Sequence, residues 1–334
     1  MPTPLLVFTI DVEEDMPDWG ITDPITVENV DALPRVHELC ARQGVRPTYL
    51  CTYPVATMPS SVKVLRALHA RGDCEIGTHM HAWNTPPFGA VPGRAGDERR
   101  HTYYQFELGP ERFRAKLEVL HQALGELAGE APRSFRAGRF GIDAATLLEL
   151  LPLGYEVDSS VTPLTGPVAA RGPDFRNAPQ HPYRPARDDV TRPGELPIVE
   201  IPVSVSLTRR VPRLVRSTFL RLPQATHLRG LLSRDFLGWL DFAWLYPARF
   251  DLELMGAAAR TLVEGGAPIL NVFLHSSELV DGRSGRVRDG AELEQVYGRL
   301  DGLFRLCREE FGARPCTLLE AGRELADGLG LGAR

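Results

Sequence analysis

Short apolar runs rich in β-branched residues alternate, almost from end to end, with segments whose apolar residues recur three and four positions apart. This alternation limits the fold more than any other feature of the chain. The strand candidates are 5–12, 46–52, 74–81, 134–140, 155–161, 198–206, 268–276 and 316–321. Between them, Val62, Leu65 and Leu68 mark one helix, and Phe113, Leu117, Leu120 and Leu124 another. Leu252, Met255, Ala259 and Leu262 mark a third; Leu293, Val296, Leu300 and Leu303 mark a fourth. Strands separated by helices pair in parallel, with helices covering the sheet. Seven or eight such units predict an α/β sheet closed into a barrel, with an open doubly wound sheet as the alternative.

The rhythm is broken twice within what reads as one domain over 1–334. The stretch 162–196 is rich in Pro, Arg, Gly and Asp and reads as a long loop excursion. The stretch 208–248 carries seven arginines and no acid over 208–234, then Phe236, Trp239, Phe242, Trp244 and Tyr246. Arg209, Arg210, Arg213 and Arg216 fall near one another on a helix, which suits a membrane surface or a lipid-linked substrate. A basic helix packed on the barrel, or a dimer contact, is the plainer reading; the oligomeric state is open. A net charge of −5 gives no reason to expect nucleic acid as a partner. No run of 18 apolar residues occurs, so no membrane-spanning helix is expected. The start Met-Pro-Thr-Pro-Leu-Leu lacks the basic and apolar regions of a signal peptide. The five cysteines are odd in number and lack a CxxC pair, so reduced thiols and a cytoplasmic location are expected.

Reactive groups of parallel α/β proteins gather at the carboxyl ends of strands. After the first strand come Asp11-Val12-Glu13-Glu14-Asp15, and the two-residue strand period aims Asp11 and Glu13 the same way. After the third come His79-Met80-His81, with both imidazoles on one side. Arg136-Ala137-Gly138-Arg139, Asp158-Ser159-Ser160 and His275-Ser276-Ser277-Glu278 follow the fourth, fifth and seventh. Each group alone is weak evidence; five at equivalent strand ends are hard to read as decoration. Imidazoles plus a carboxylate with an open position suit a divalent metal, zinc first. A bound ion polarises a carbonyl, a second carboxylate takes a proton from water, and an isolated His protonates a leaving group. The inventory fits metal-assisted hydrolysis of an amide or ester.

The set resembles the polysaccharide deacetylases with the NodB homology domain. Thr9-Ile10-Asp11-Val12-Glu13 is similar to their first motif, and Glu75-Ile76-Gly77-Thr78-His79-Met80-His81 to their second. Phe135-Arg136-Ala137-Gly138, Val157-Asp158-Ser159-Ser160 and Phe273-Leu274-His275 resemble the third, fourth and fifth, in the same order along the chain. The resemblance implies a distorted (β/α)7 barrel and removal of an N-acetyl or similar acyl group from an amino sugar of a polysaccharide or its precursor. It implies Asp11 as general base, His275 as general acid and Arg136 as the partner of Asp11. It implies Glu13, His79 and His81 as metal ligands; His81 is chosen by the strand period.

The match departs in three places. The family commonly has two aspartates in its first motif, where this chain has Glu13, and Glu14 could take its place. Many members have a second histidine four positions on, where this chain has Trp83. Arg139 stands where an aromatic is usual. Trp19, Trp83 and Phe140 lie near the motifs and, with Arg139, are the candidates for contact with a sugar; packing at the barrel mouth is the alternative. Glu278 could orient His275. Two other functions stay open: a small-amide hydrolase without tightly bound metal, and a catalytically inactive carbohydrate-binding protein.

Overall fold

The computed structural model describes residues 3–89, 98–101, 103–167, 172–212, 214–215, 218 and 241–328. In chain order the elements are β1 (Leu5–Val12), α1 (Leu33–Arg42), β2 (Pro47–Cys51), α2 (Tyr53–Thr57), α3 (Pro59–His69), β3 (Glu75–Met80), α4 (Pro110–Ala128), β4 (Ser134–Ala137), α5 (Ala144–Leu148) and β5 (Val157–Asp158). The hairpin β6 (Pro185–Ala186) and β7 (Asp189–Pro193) fills part of the first interruption. Then come β8 (Val199–Glu200), β9 (Val205–Leu207), β10 (Phe242–Trp244), α6 (Leu252–Glu264), β11 (Ile269–His275), α7 (Gly290–Glu309), β12 (Arg314–Pro315) and α8 (Leu318–Gly328).

Seven strands form one parallel sheet in the order β11-β1-β2-β3-β4-β5-β8, with β12 added beside β1. Every residue of β1 is buried, as a strand sandwiched between barrel interior and helices requires. The two-residue period sorts its side chains. Leu6, Phe8, Ile10 and Val12 join the large core under the helices, whereas Leu5 and Val7 join Leu50, Val157, Val199, Ile201 and Ile269 inside the barrel. Leu318 and Ala321 of α8 belong to that inner cluster and close its floor. Above the apolar layer lies a polar one. Arg136 Nη2 donates to Thr9 Oγ1 and Ser159 Oγ, both at 2.9 Å, and Asn271 Nδ2 donates to Ser159 Oγ at 3.1 Å. The site occupies the next level up.

The barrel is distorted between β8 and β11, where no ladder forms. The β5 side of the chain stays bonded past β8, Val203 N–H donating to Val161 O. On the other edge, toward β11, Pro202 has no N–H to offer, and the chain runs on into β9, which pairs antiparallel with β10. That ribbon bridges the gap: Ser204 N–H donates to Asn271 O at 3.2 Å, and Phe273 N–H donates to Leu245 O at 3.1 Å. The expected strand 198–206 is therefore two short ones. The expected strand 316–321 is instead the start of α8, because Leu318, Ala321 and Leu325 recur at helical spacing over the barrel floor. Of the basic run, Val211 and Val215 pack against Leu207; Arg213, Arg216, Phe236 and Trp239 lie outside the described residues. No helix among the described residues is long and apolar enough to cross a membrane. All five cysteines are free thiols.

Candidate active site and metal centre

Register brings the strand-end residues together. In the β1–β11 ladder Asp11 lies opposite His275, and in the β3–β4 ladder His79 lies opposite Arg136. Because odd residues of β1 and β3 face inward, Asp11, Glu13, His79 and His81 converge on one level. Glu13, His79 and His81 each offer a ligand atom, all within 4.8 Å of one another, and all three residues are buried.

The donors are arranged as ligands. His79 Nδ1 lies 3.0 Å from the Arg136 carbonyl, so it carries the proton and leaves the Nε2 lone pair free. His81 Nδ1 is 2.9 Å from Glu14 Oε1. The two Nε2 atoms lie 3.8 Å and 3.2 Å from Glu13 Oε2, while Glu13 Oε1 is buried without a hydrogen-bond partner. An outer acceptor on each Nδ1, with both Nε2 atoms aimed at a carboxylate, is the pattern of metal-binding histidines. The residues present thus fit a divalent ion. Burial and the neighbouring positive groups hold His79 neutral, its pKa lowered to about 3 despite Asp11. Burial works against a charge on His81 too, but Glu14 and Glu13 outweigh it and raise its pKa to about 10. The two carboxylates favour positive charge at this spot.

Glu13 keeps the inward direction of Asp11 one position past the end of β1, and Glu14, its neighbour in the chain, is aimed away from it. Its carboxylate accepts from Asn84 Nδ2 at 2.6 Å, from His81 and from Trp83 Nε1 at 3.1 Å. Burial would raise its pKa; these donors and the charge on His81 lower it to about 2. Glu14 therefore orients His81 and is spent on that task. Trp83 is 1% exposed and stacks on His81, with ring centroids 4.2 Å apart. It borders the cavity, yet its polar atom faces Glu14.

Arg136 is fully buried and pins Asp11: Nη1 donates to Asp11 Oδ1 at 2.6 Å and Nε to Ser159 O at 2.8 Å. Burial would protonate Asp11, but Arg136, His79 and His275 outweigh it and keep the carboxylate ionised. Across the site, His275 Nδ1 contacts Tyr246 OH at 3.2 Å and Glu278 Oε2 at 3.3 Å. Burial disfavours its protonation, whereas Glu278, Glu13 and Asp11 favour it more and raise its pKa to about 9. Of the fourth motif, Ser159 faces inward to Arg136, while Asp158 faces outward, opposite Glu200 in the β5–β8 ladder, and accepts from Ser160 Oγ at 2.5 Å. Asp158 is therefore not part of the cluster.

Above this floor opens a cavity of 420 Å³ whose walls include the aromatic residues Trp19, Phe140, Trp244, Tyr246 and Phe273. That volume lies in the range of small-molecule sites. Trp19, Arg139 and Phe140 stand at its edge with φ of 60°, 56° and 57°. Such left-handed backbone costs about 1–3 kcal/mol per residue and concentrates where a site needs a particular wall. Tyr246, Trp244, Arg249 and Arg286 also line the cavity, and motif reading did not single them out. The only signal for the first two was the aromatic cluster after the basic run.

No protein-family model matches the sequence, and no curated protein matches it. Solved structures do. A Mycobacterium smegmatis protein assigned to the polysaccharide deacetylases superposes with a TM-score of 0.54 at 18% identity, over 98% of this chain and 91% of that one. A Parabacteroides distasonis protein assigned as a glycoside hydrolase/deacetylase gives 0.62 at 13% identity, over 97% and 71%. PuuE allantoinase gives 0.55 at 15% identity, over 97% and 90%. Together with the parallel sheet and its bridged gap, these likenesses fix the architecture: the chain has the NodB-like (β/α)7 barrel fold of the polysaccharide deacetylases.

Proposed function

We propose that this protein is a metal-dependent hydrolase that removes an acyl group, acetyl first among them, from the nitrogen of an amino sugar. The observation that carries this reading is the convergence of two imidazole Nε2 atoms on Glu13, beside Asp11 in the grip of Arg136 and with His275 opposite Asp11 in the ladder.

Glu13, His79 and His81 would hold the ion. When bound it supplies Lewis acidity toward the acyl carbonyl and lowers the pKa of water. Asp11, kept ionised and aimed by Arg136, takes the proton of the attacking water. His275 enters protonated, with Nδ1 engaged by Glu278 and Tyr246, so Nε2 is the nitrogen left to protonate the departing amine. The products are a carboxylic acid and a free amine.

A second reading, hydrolysis of a small cyclic or linear amide, draws on the size of the cavity. One experiment separates the two. Metal content is measured by elemental analysis, and acetate release from N-acetylglucosamine oligomers is assayed with and without chelator. Stoichiometric zinc with chelator-sensitive release supports the first reading; turnover of small amides untouched by chelator supports the second. Asp11→Asn should abolish turnover and keep the metal, whereas His79→Ala should lose both. Metal retained in His79→Ala would sink the ligand assignment.

A further inference from the structure

Three guanidiniums, those of Arg139, Arg249 and Arg286, stand around the cavity above the catalytic floor. Among the described residues its lining acids are Asp11 and Glu13, which are both buried at the bottom. The rim is thus of one sign, in a chain whose net charge is −5. A cleft of one sign with apolar walls concentrates ligands of the other.

Arg286 lies 5.5 Å from the Tyr246 ring and 5.7 Å from that of Trp19, which itself touches His275. Its Nε is 3.4 Å from Glu278 Oε1. That carboxylate already accepts from Tyr246 and from the His275 backbone, so it is shared among three groups. Arg249 lies 6.0 Å from the Trp244 ring and 5.3 Å from that of Phe250. Among the described residues no carboxylate pairs with it. Partial burial of its guanidinium and the charge of Arg286 both work against its own charge. An anion held between the two would offset both costs, and a guanidinium fork suits carboxylate or phosphate.

We propose that Arg249 and Arg286 form an anion subsite, so that the substrate is a compact amide carrying a carboxylate or phosphate next to a planar or apolar group. The aromatic walls take the planar part, and the anion at the rim aims the amide down at Asp11 and His275. This rests on the second reading above, in which the cavity hydrolyses a small amide, and it gives that amide its charge.

Calorimetry on the full chain with benzoate, phenyl phosphate and benzyl alcohol tests it without turnover. The three share a ring and differ in charge. Either anion should bind at least about tenfold more tightly than the alcohol, more weakly as salt rises, and should lose that advantage in Arg249→Gln. Whichever anion binds better identifies the subsite's chemistry. Equal binding of all three overturns the proposal. So does an anion affinity that survives both Arg249→Gln and Arg286→Gln but falls when metal is stripped, since the anion then sits on the metal. Turnover of N-acetyl-L-phenylalanine against N-acetylphenethylamine is the second arm: kcat/KM should favour the acid, and the ratio should fall about tenfold in Arg249→Gln. If neither amide is cleaved while benzoate still binds through Arg249, the hydrolase reading fails and the subsite stands. If both are cleaved equally, the subsite fails and the hydrolase stands.

Discussion

Gly138→Ala adds one methyl group at the wall of the metal centre. A Cβ at this position would lie 2.3 Å from His81 Cδ2, 2.6 Å from the Met80 carbonyl oxygen and 3.0 Å from Gln105 Nε2. Carbon atoms in contact prefer about 3.5 Å, so the His81 ring must retreat by roughly 1 Å. It has little room, being stacked on Trp83 and tied through Nδ1 to Glu14. Moving the Met80 carbonyl instead would disturb the β3–β4 ladder. Metal ligands tolerate displacements of only about 0.2 Å, so Nε2 leaves its place beside Glu13. Zinc affinity should fall roughly 100-fold, with an overpacking cost of about 1–3 kcal/mol. Competition with a chromophoric chelator reads the affinity, and a cooperative unfolding transition shows that the variant is folded. A folded Gly138→Ala that binds zinc within threefold of the parent would refute the packing argument, and with it the place of His81 in the metal site.

Two further changes probe the charges. Arg136→Met leaves Asp11 buried without its cation and should destabilise the protein by about 3–5 kcal/mol; adding Asp11→Asn should recover part of that loss, and strictly additive losses in denaturant titrations would argue against the pairing. Asp158 and Glu200 are buried ladder partners on the outer face, and burial raises the pKa of Asp158 to about 6 and that of Glu200 well above 4.5. The folded state therefore binds more protons than the unfolded one. The stability this proton confers is complete below pH 3.8 and is lost as pH rises through about 6 and beyond. The slope approaches about 1.4 kcal/mol per pH unit for each proton. Glu200→Gln gives Asp158 a permanent N–H donor and should flatten that slope. Identical pH profiles for the two proteins would show that no proton is shared.

The fold was legible because parallel strands buried on both faces read as continuous apolar runs, and each helix showed its own period. The inner level of the site was legible for a related reason: residues two apart in a strand share a face, which groups Asp11 with Glu13 and His79 with His81. The same rule separates Asp158 from Ser159, which sequence order alone placed in one motif. The task of Glu14 escaped because Trp83 and Asn84, which donate to it, come from the loop after β3 and follow no strand period. The rim residues Tyr246, Arg249 and Arg286 come from loops, whose side-chain directions follow no period. Strand 198–206 was misread in length because a proline's missing N–H matters only once its neighbour in the sheet is known.

The pairing of β1 with β11 also fixes when the site can exist. Asp11 and His275 are partners in one ladder yet stand at opposite ends of the described chain, so loop closure over most of the polypeptide must precede their meeting. A ribosome-bound chain that has assembled β1 through β5 would already hold His79 and His81 beside Glu13, but without the acid. Chemical competence therefore waits on the one long-range closure that brings β11 to β1, whereas the three donors for an ion come from the ends of β1 and β3, which shorter connections join.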